Sequence, residues 1–228
     1  MKFIVLGLGN FGRALAVRLT ELGHEVIGVD NNMQKVNKLK EKITHTVCMD
    51  CTDRDAVSAL PLKDANAVVV AIGEDEASSL LTTALLKQLK IKRIIGRVVS
   101  DLQKTVMEAM EIDDYILPEE ESAERLAVRL TDSSIIDSFK VSERFSIIEV
   151  LAPEKFEDMT IEEANITNDY QVIVLTILTL FKGSEDGITK TYRNARGIAT
   201  PETIIRPGDV LVLFGELVNI NRMLQDAK

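Results

Sequence analysis

The chain has 228 residues, 46% hydrophobic and 28% charged, with a formal net charge of −9. That apolar content supplies packed cores and excludes a disordered chain, and the acidic balance argues against a nucleic-acid partner, which requires a cationic face. No apolar stretch reaches the roughly 20 residues that cross a bilayer, so no direct membrane insertion is expected and the chain reads as cytoplasmic. The longest run, Val172 to Phe181, is broken by Thr176 and Thr179 and reads as a buried strand. The apolar start is short, with Asn10 and Arg13 where a leader would be cleaved.

Phe3–Leu6 forms the first predicted strand and feeds Gly7-x-Gly9-x-x-Gly12. Gly7 permits a tight strand-to-helix turn, Gly9 lets a pyrophosphate approach the backbone, and Gly12 lets the helix sit close to its strand. The helix over 11–22, entered through Asn10 and Phe11, points free N–H groups and its positive dipole end at phosphate. A second strand, Val26–Val29, ends on Asp30, about twenty residues past the glycines, where a carboxylate suits ribose hydroxyls. Beside Asn31 and with no neighbouring arginine, Asp30 would repel a 2′-phosphate, which disfavours NADP against NAD, ATP or ADP. The alternative for Asp30 is a cap on the helix expected over 33–42.

The third strand, Thr46–Met49, leads to Asp50, which suits either the adenine or ribose edge of a nucleotide or the cap of a helix at 54–60. Cys48 and Cys51 form a C-x-x-C. With no second pair and only His24 and His45 in the chain, a tetrahedral zinc site is not supplied. The reading as two small residues flanking a strand end is favoured over a redox pair. The fourth strand, Ala67–Ile72, closes as Ala71-Ile72-Gly73 at the carboxyl edge of the sheet, where ligands of such folds lie. Gly73 there gives backbone access or is a plain turn glycine. After a helix over 77–90 comes Arg93–Gly96, closed by Arg97, which faces phosphate or is a surface arginine. A helix over 102–110 and a sixth strand, Tyr115–Leu117, complete the pattern of an α/β doubly wound parallel Rossmann sheet.

Pro118 interrupts that rhythm, and the helix in EEESAERLAVRL carries a narrow apolar stripe of Ala123, Leu126, Ala127 and Leu130 suited to another subunit. Its carboxylates Glu119, Glu120 and Glu121 favour the helix dipole, or one of them reaches phosphate through a divalent cation. Residues 137–151 and 170–181 are β-rich, 184–187 is a turn cluster, Arg206-Pro207-Gly208-Asp209 turns into a strand, and a short helix lies near 216–226. The chain therefore divides into a nucleotide-binding domain over 1–118, a crossover helix and linker over 119–136, and a smaller α+β domain over 137–228, with the boundary near 132–138. Hydride transfer needs an acid or base beside the cofactor, yet residues 137–228 contain no His and no Cys. A sensor is favoured over an NAD-dependent oxidoreductase.

The segments VLGLGNFG, GHEVIGVD, AVVVAIGEDEASSLLTTALLKQL, YILPEEESAERLA, FSIIEVLA and IRPGDVLVLFG resemble the RCK (KTN) regulatory proteins of bacterial potassium uptake, the KtrA and TrkA subunits, over essentially the full length. The resemblance implies a Rossmann N-lobe, a crossover helix and a small C-lobe. It implies homodimers that assemble into an octameric ring beneath a membrane potassium channel or transporter subunit, with nucleotide exchange gating flux. Regulation of a cation/proton antiporter is the neighbouring possibility. The resulting cofactor set is Gly7, Gly9, Asn10, Phe11, Gly12, Asp30, Asn31, Asp50, Cys51, Ala71, Ile72, Gly73 and Arg97, with Glu119 beside a possible divalent cation. The cofactor is an adenine nucleotide, NAD/NADH or ATP/ADP. ATP-holding Ktr-type members carry arginine directly after the second glycine, whereas this chain has Asn10. Their cyclic di-AMP arginine falls at Thr167.

Overall fold

The computed structural model describes residues 1–112, 114–185 and 188–227, in two compact units, Met1–Glu120 and Glu121–Lys228. The first unit alternates strand and helix: β1 (Lys2–Leu6), α1 (Asn10–Glu21), β2 (Glu25–Asp30), α2 (Met33–Asn37), β3 (His45–Cys48), α3 (Arg54–Ser58), β4 (Ala67–Val70), α4 (Glu76–Gln88), β5 (Ile94–Arg97), α5 (Asp101–Ala109) and β6 (Tyr115–Ile116). The strands form one parallel sheet in the order β3-β2-β1-β4-β5-β6. Alternate residues of β1 explain why both faces are covered. Ile4 and Leu6 pack with Val57, Leu86 and Met107 from α3, α4 and α5, while Val5 packs with Ala16 and Val36 from α1 and α2. The strands are therefore apolar without alternation, as a sheet buried on both sides requires.

The β1–α1 turn sets the geometry of the sheet's carboxyl edge. Gly7 lies in the left-handed region at φ +96°, and its N–H donates to the Val29 carbonyl at 2.7 Å. A Cβ on Gly12 would lie 1.9 Å from the Gly7 carbonyl oxygen, so only glycine lets α1 pass this close to the turn.

The second unit contains most of α6 (Pro118–Thr131), followed by β7 (Ile135–Lys140), β8 (Phe145–Leu151), α7 (Ile161–Ala164), α8 (Ile166–Tyr170), β9 (Ile173–Glu185), β10 (Ile188–Ala195), β11 (Val210–Glu216) and α9 (Leu217–Asp226). Its antiparallel sheet runs β10-β9-β11-β8-β7. Ile148, Leu211 and Leu213 from the sheet meet Ile166 of α8 and Ile220 and Met223 of α9 in the core. The Arg206–Asp209 turn forms as expected: Asp209 N–H donates to the Arg206 carbonyl at 3.0 Å, and Gly208 takes φ +79°. Asp209 is 2% exposed. Its carboxylate is clasped by the Arg196 guanidinium and accepts the Arg206 N–H at 2.8 Å.

One element departs from the sequence reading. The helix expected over 33–42 stops at Asn37, because the chain tightens there into shorter turns, Leu39 N–H to Val36 O and Lys42 N–H to Leu39 O. The first unit ends at Glu120, within the opening turn of α6. Most of the crossover helix is tied to the second unit through Arg125–Asp137, Lys140–Glu124 and the packing of Val128 on its core. Pro118 opens this helix, where its missing N–H costs nothing. Of the turn cluster 184–187, residues 186 and 187 lie outside the described residues. Among the described residues, no helix is long and apolar enough to cross a membrane.

Two substitutions test this account by denaturant unfolding. Gly12→Ala should lower the stability of the first unit by more than about 2 kcal/mol, since the added methyl meets backbone rather than a yielding side chain. Asp209→Ala, which leaves Arg196 without its buried partner, should cost the second unit about 3 kcal/mol.

Candidate functional site

The carboxyl ends of β1, β2, β4 and β5 open on one edge of the first unit, and the N-terminus of α1 points there. Gly9 is the N-cap of α1, in extended conformation (φ −63°, ψ −168°) and without a side-chain cap, and the first turn carries no acidic residue. The leading N–H groups of a twelve-residue helix therefore face this edge with their partial positive charge uncompensated by side chains. A Cβ on Gly9 would meet nothing within 4 Å. That glycine thus serves no packing need of the protein itself and leaves room against the backbone.

Asp30, at the end of β2, is 6% exposed. Its Oδ2 accepts the Leu8 N–H at 2.7 Å and its Oδ1 accepts the Asn32 N–H at 2.8 Å. The carboxylate thus locks the glycine turn to the end of β2. It does not cap α2, a task performed by Asn32, whose Oδ1 accepts from Gln34 N–H at 2.8 Å. Each Asp30 oxygen retains a second lone pair for a hydroxyl donor. Asn31 is exposed, and its carbonyl accepts the Cys48 thiol at 3.5 Å.

Asp50 likewise does not cap α3, which Asp53 caps. Its Oδ1 accepts the backbone N–H and the hydroxyl of Thr52, both at 2.8 Å, and these bonds hold the carboxyl below the usual carboxylate range. Cys51 turns the other way. Its side chain is buried in the core beside Ile4 and Leu6, and its carbonyl accepts from Thr82 Oγ1 at 3.2 Å. Burial, followed by the nearby charges of Asp30 and Asp50, pushes its thiol up to about 12. The core thus claims the Cys51 side chain, which leaves its backbone as the part able to line a cofactor. Both cysteines are free thiols.

Ala71 and Ile72 pack against the turn: the Cβ positions of Gly12 and Gly7 lie 3.0 Å from the Ala71 methyl and 2.9 Å from the Ile72 nitrogen. Gly73 has a more specific task than a plain turn. A Cβ there would lie 2.3 Å from an Arg97 guanidinium nitrogen, so its absence makes the bed in which Arg97 rests. Nor is Arg97 a surface arginine, since its side chain is only 15% exposed. Its guanidinium lies 5.9 Å from the Phe11 ring centroid, placing a cation beside the first turn of α1. Nη2 pairs with the Glu119 carboxylate at the start of α6. Glu119 is thus engaged by an arginine, and among the described residues no group of three or more His, Cys, Asp or Glu is placed to hold a metal ion.

One contributor escaped the sequence reading. Gln103 is fully buried; its Nε2 donates to the Arg97 carbonyl at 3.2 Å and to Ser79 Oγ at 3.1 Å, while its Oε1 accepts the Val99 N–H at 2.8 Å. It fixes the end of β5 and hence the root of the Arg97 side chain. The only signal in the sequence is polar residues on otherwise core-facing helix positions. The edge therefore brings together a helix N-terminus and an arginine at one end and the Asp30 carboxylate at the other, which is a cradle for a polar, anionic molecule with hydroxyl groups.

Residues 3–118 match the family model of the TrkA-N domain. Over 221 residues the chain is 32% identical to the Ktr system potassium uptake protein A of Bacillus subtilis (strain 168), covering 97% of this chain and 94% of that protein. It is 29% identical to the Ktr system potassium uptake protein C of the same organism, covering 97% and 95%. Among solved structures, the GsuK RCK domain superposes with a TM-score of 0.66 at 17% identity, covering 100% of this chain and 48% of that one.

The thiols give a direct check. At neutral pH a thiol reagent should leave Cys51 unmodified until the protein is unfolded, and early labelling of Cys51 would contradict its burial. The fold binds this proton more tightly than the unfolded chain. Its contribution to stability should therefore be intact below the ordinary thiol value of 9.0 and decline as pH rises toward about 12.

Proposed function

This chain belongs to the TrkA-N family, and from that premise we propose that it is a cytoplasmic, nucleotide-sensing regulatory subunit of a potassium transporter or channel. One observation carries the reading. Asp30 and the uncapped N-terminus of α1 are joined through Leu8 by a hydrogen bond of 2.7 Å, so a carboxylate suited to ribose and a helix end suited to phosphate are held in fixed register. An adenine nucleotide, NAD/NADH or ATP/ADP, suits that register. Its ribose hydroxyls would donate to Asp30 and its phosphates would accept from the α1 N–H groups and from Arg97. Asp50 and Gly73 would lie along the adenosine.

Residues 137–228 contain no His and no Cys, which supports a reading without hydride-transfer chemistry. Binding without reaction is the function of a sensor. The subunit would act by population shift, a nucleotide stabilising whichever assembly binds it better, and only the difference in affinity moves the equilibrium. Support for assembly comes from α6. Leu126 and Leu130 of its apolar stripe are 50% and 77% exposed, an arrangement suited to homodimers that build an octameric ring against a membrane partner. Glu119 becomes free for a divalent cation only when it leaves Arg97, so a cation would follow nucleotide rather than precede it.

Thermal-shift titration with ATP, ADP, NAD and NADH should raise the unfolding midpoint with at least one of them, as mass action requires. Gly9→Ala should change intrinsic stability by less than about 1 kcal/mol, because the new methyl meets no protein atom. It should also abolish the nucleotide-dependent rise. A variant that responds like the parent would remove the phosphate assignment.

A further inference from the structure

The Arg97–Glu119 pair has a geometry that restricts what else Arg97 can hold. Its Nε is buried and finds no hydrogen-bond partner among the described residues. One guanidinium nitrogen lies over Gly73, where a Cβ would approach to 2.3 Å. One face of the head lies toward the Phe11 ring. The Nη2 edge remains, and Glu119 occupies it. An anion that pairs with Arg97 through Nη2 takes the position that the Glu119 carboxylate holds.

We propose that Glu119 and a nucleotide phosphate are mutually exclusive partners of Arg97, so that phosphate binding unlatches the first turn of α6 from the end of β5. This rests on the nucleotide reading above and assigns the coupling step to a named pair. The exchange costs little. A carboxylate that is 62% exposed returns to water readily, while Arg97, only 15% exposed, gains a replacement charge. A phosphate also offers more acceptor oxygens to the guanidinium than one carboxylate does. Glu119 lies in the opening turn of a helix whose remaining turns belong to the second unit. Release of this residue frees the segment of chain that joins the two units. No bond is made or broken covalently; one ion pair replaces another.

The test uses the full chain, ADP as probe and a chelator to exclude divalent cations. Glu119→Gln should bind ADP about three- to tenfold more tightly than the parent, the size of effect expected for removing an exposed competing carboxylate. Glu120→Gln, which removes a charge from the same turn, should leave ADP affinity unchanged. In the parent, saturating ADP should speed backbone hydrogen exchange over 118–125, and Glu119→Gln should exchange at that faster rate with or without ADP. Equal or weaker ADP binding by Glu119→Gln, equal tightening by Glu120→Gln, or exchange insensitive to ADP would each overturn the latch while leaving nucleotide binding intact. If neither ADP nor any other adenine nucleotide binds the parent, the nucleotide reading fails and the latch with it.

Discussion

The approach of α1 to the Gly7 carbonyl is the constraint on which the carboxyl edge of the parallel sheet depends. Because no Cβ fits at Gly12, the helix begins directly beneath the end of β1 instead of being displaced by a side chain. That position sets where the unsatisfied N–H groups of α1 point, and those groups are a fixed source of positive potential at this edge. Ala71 and Ile72 close the turn from the β4 side. Any larger residue at these contacts would move the helix end away from the strands that supply the remaining polar groups.

Asp30 holds this arrangement together from the β2 side. A nearly buried carboxylate is costly unless hydrogen-bonded, and here two backbone N–H groups satisfy it, one from the glycine turn and one from the start of the β2–α2 connection. The same side chain therefore braces the turn while each of its oxygens keeps a further acceptor lone pair. Gln103 plays the matching part at the far end of the edge, bracing β5 through the Arg97 carbonyl.

The second unit uses polar groups differently. Arg196 spans the Thr179 hydroxyl, the Ile204 carbonyl and the Asp209 carboxylate, pinning two loops to the sheet. Every member of that cluster is satisfied within the unit, as a buried network must be if it is to stabilise. The polar groups at the sheet edge of the first unit differ in retaining capacity: free N–H groups at α1, spare lone pairs at Asp30 and an unpartnered Nε at Arg97. Residual hydrogen-bonding capacity separates the edge that can bind from the scaffold that only holds.

Much of this was legible in the chain itself. The alternation of apolar runs with amphipathic stretches points to a parallel sheet, because period and run length are local properties. The glycine spacing and the acid at the next strand end were readable for the same reason. Long-range packing decides what local pattern left open. Whether Cys51 faces ligand or core depends on α4 lying over it, and whether Arg97 is a surface side chain depends on Gly73, twenty-four positions earlier, leaving room for it. The capping of α2 and α3 by Asn32 and Asp53 was a choice between adjacent polar residues that spacing alone leaves degenerate. Local pattern determined which elements form and in what order; only the folded chain determined which polar groups spend their hydrogen bonds internally, because those partners lie far apart in sequence and meet only when the layers pack.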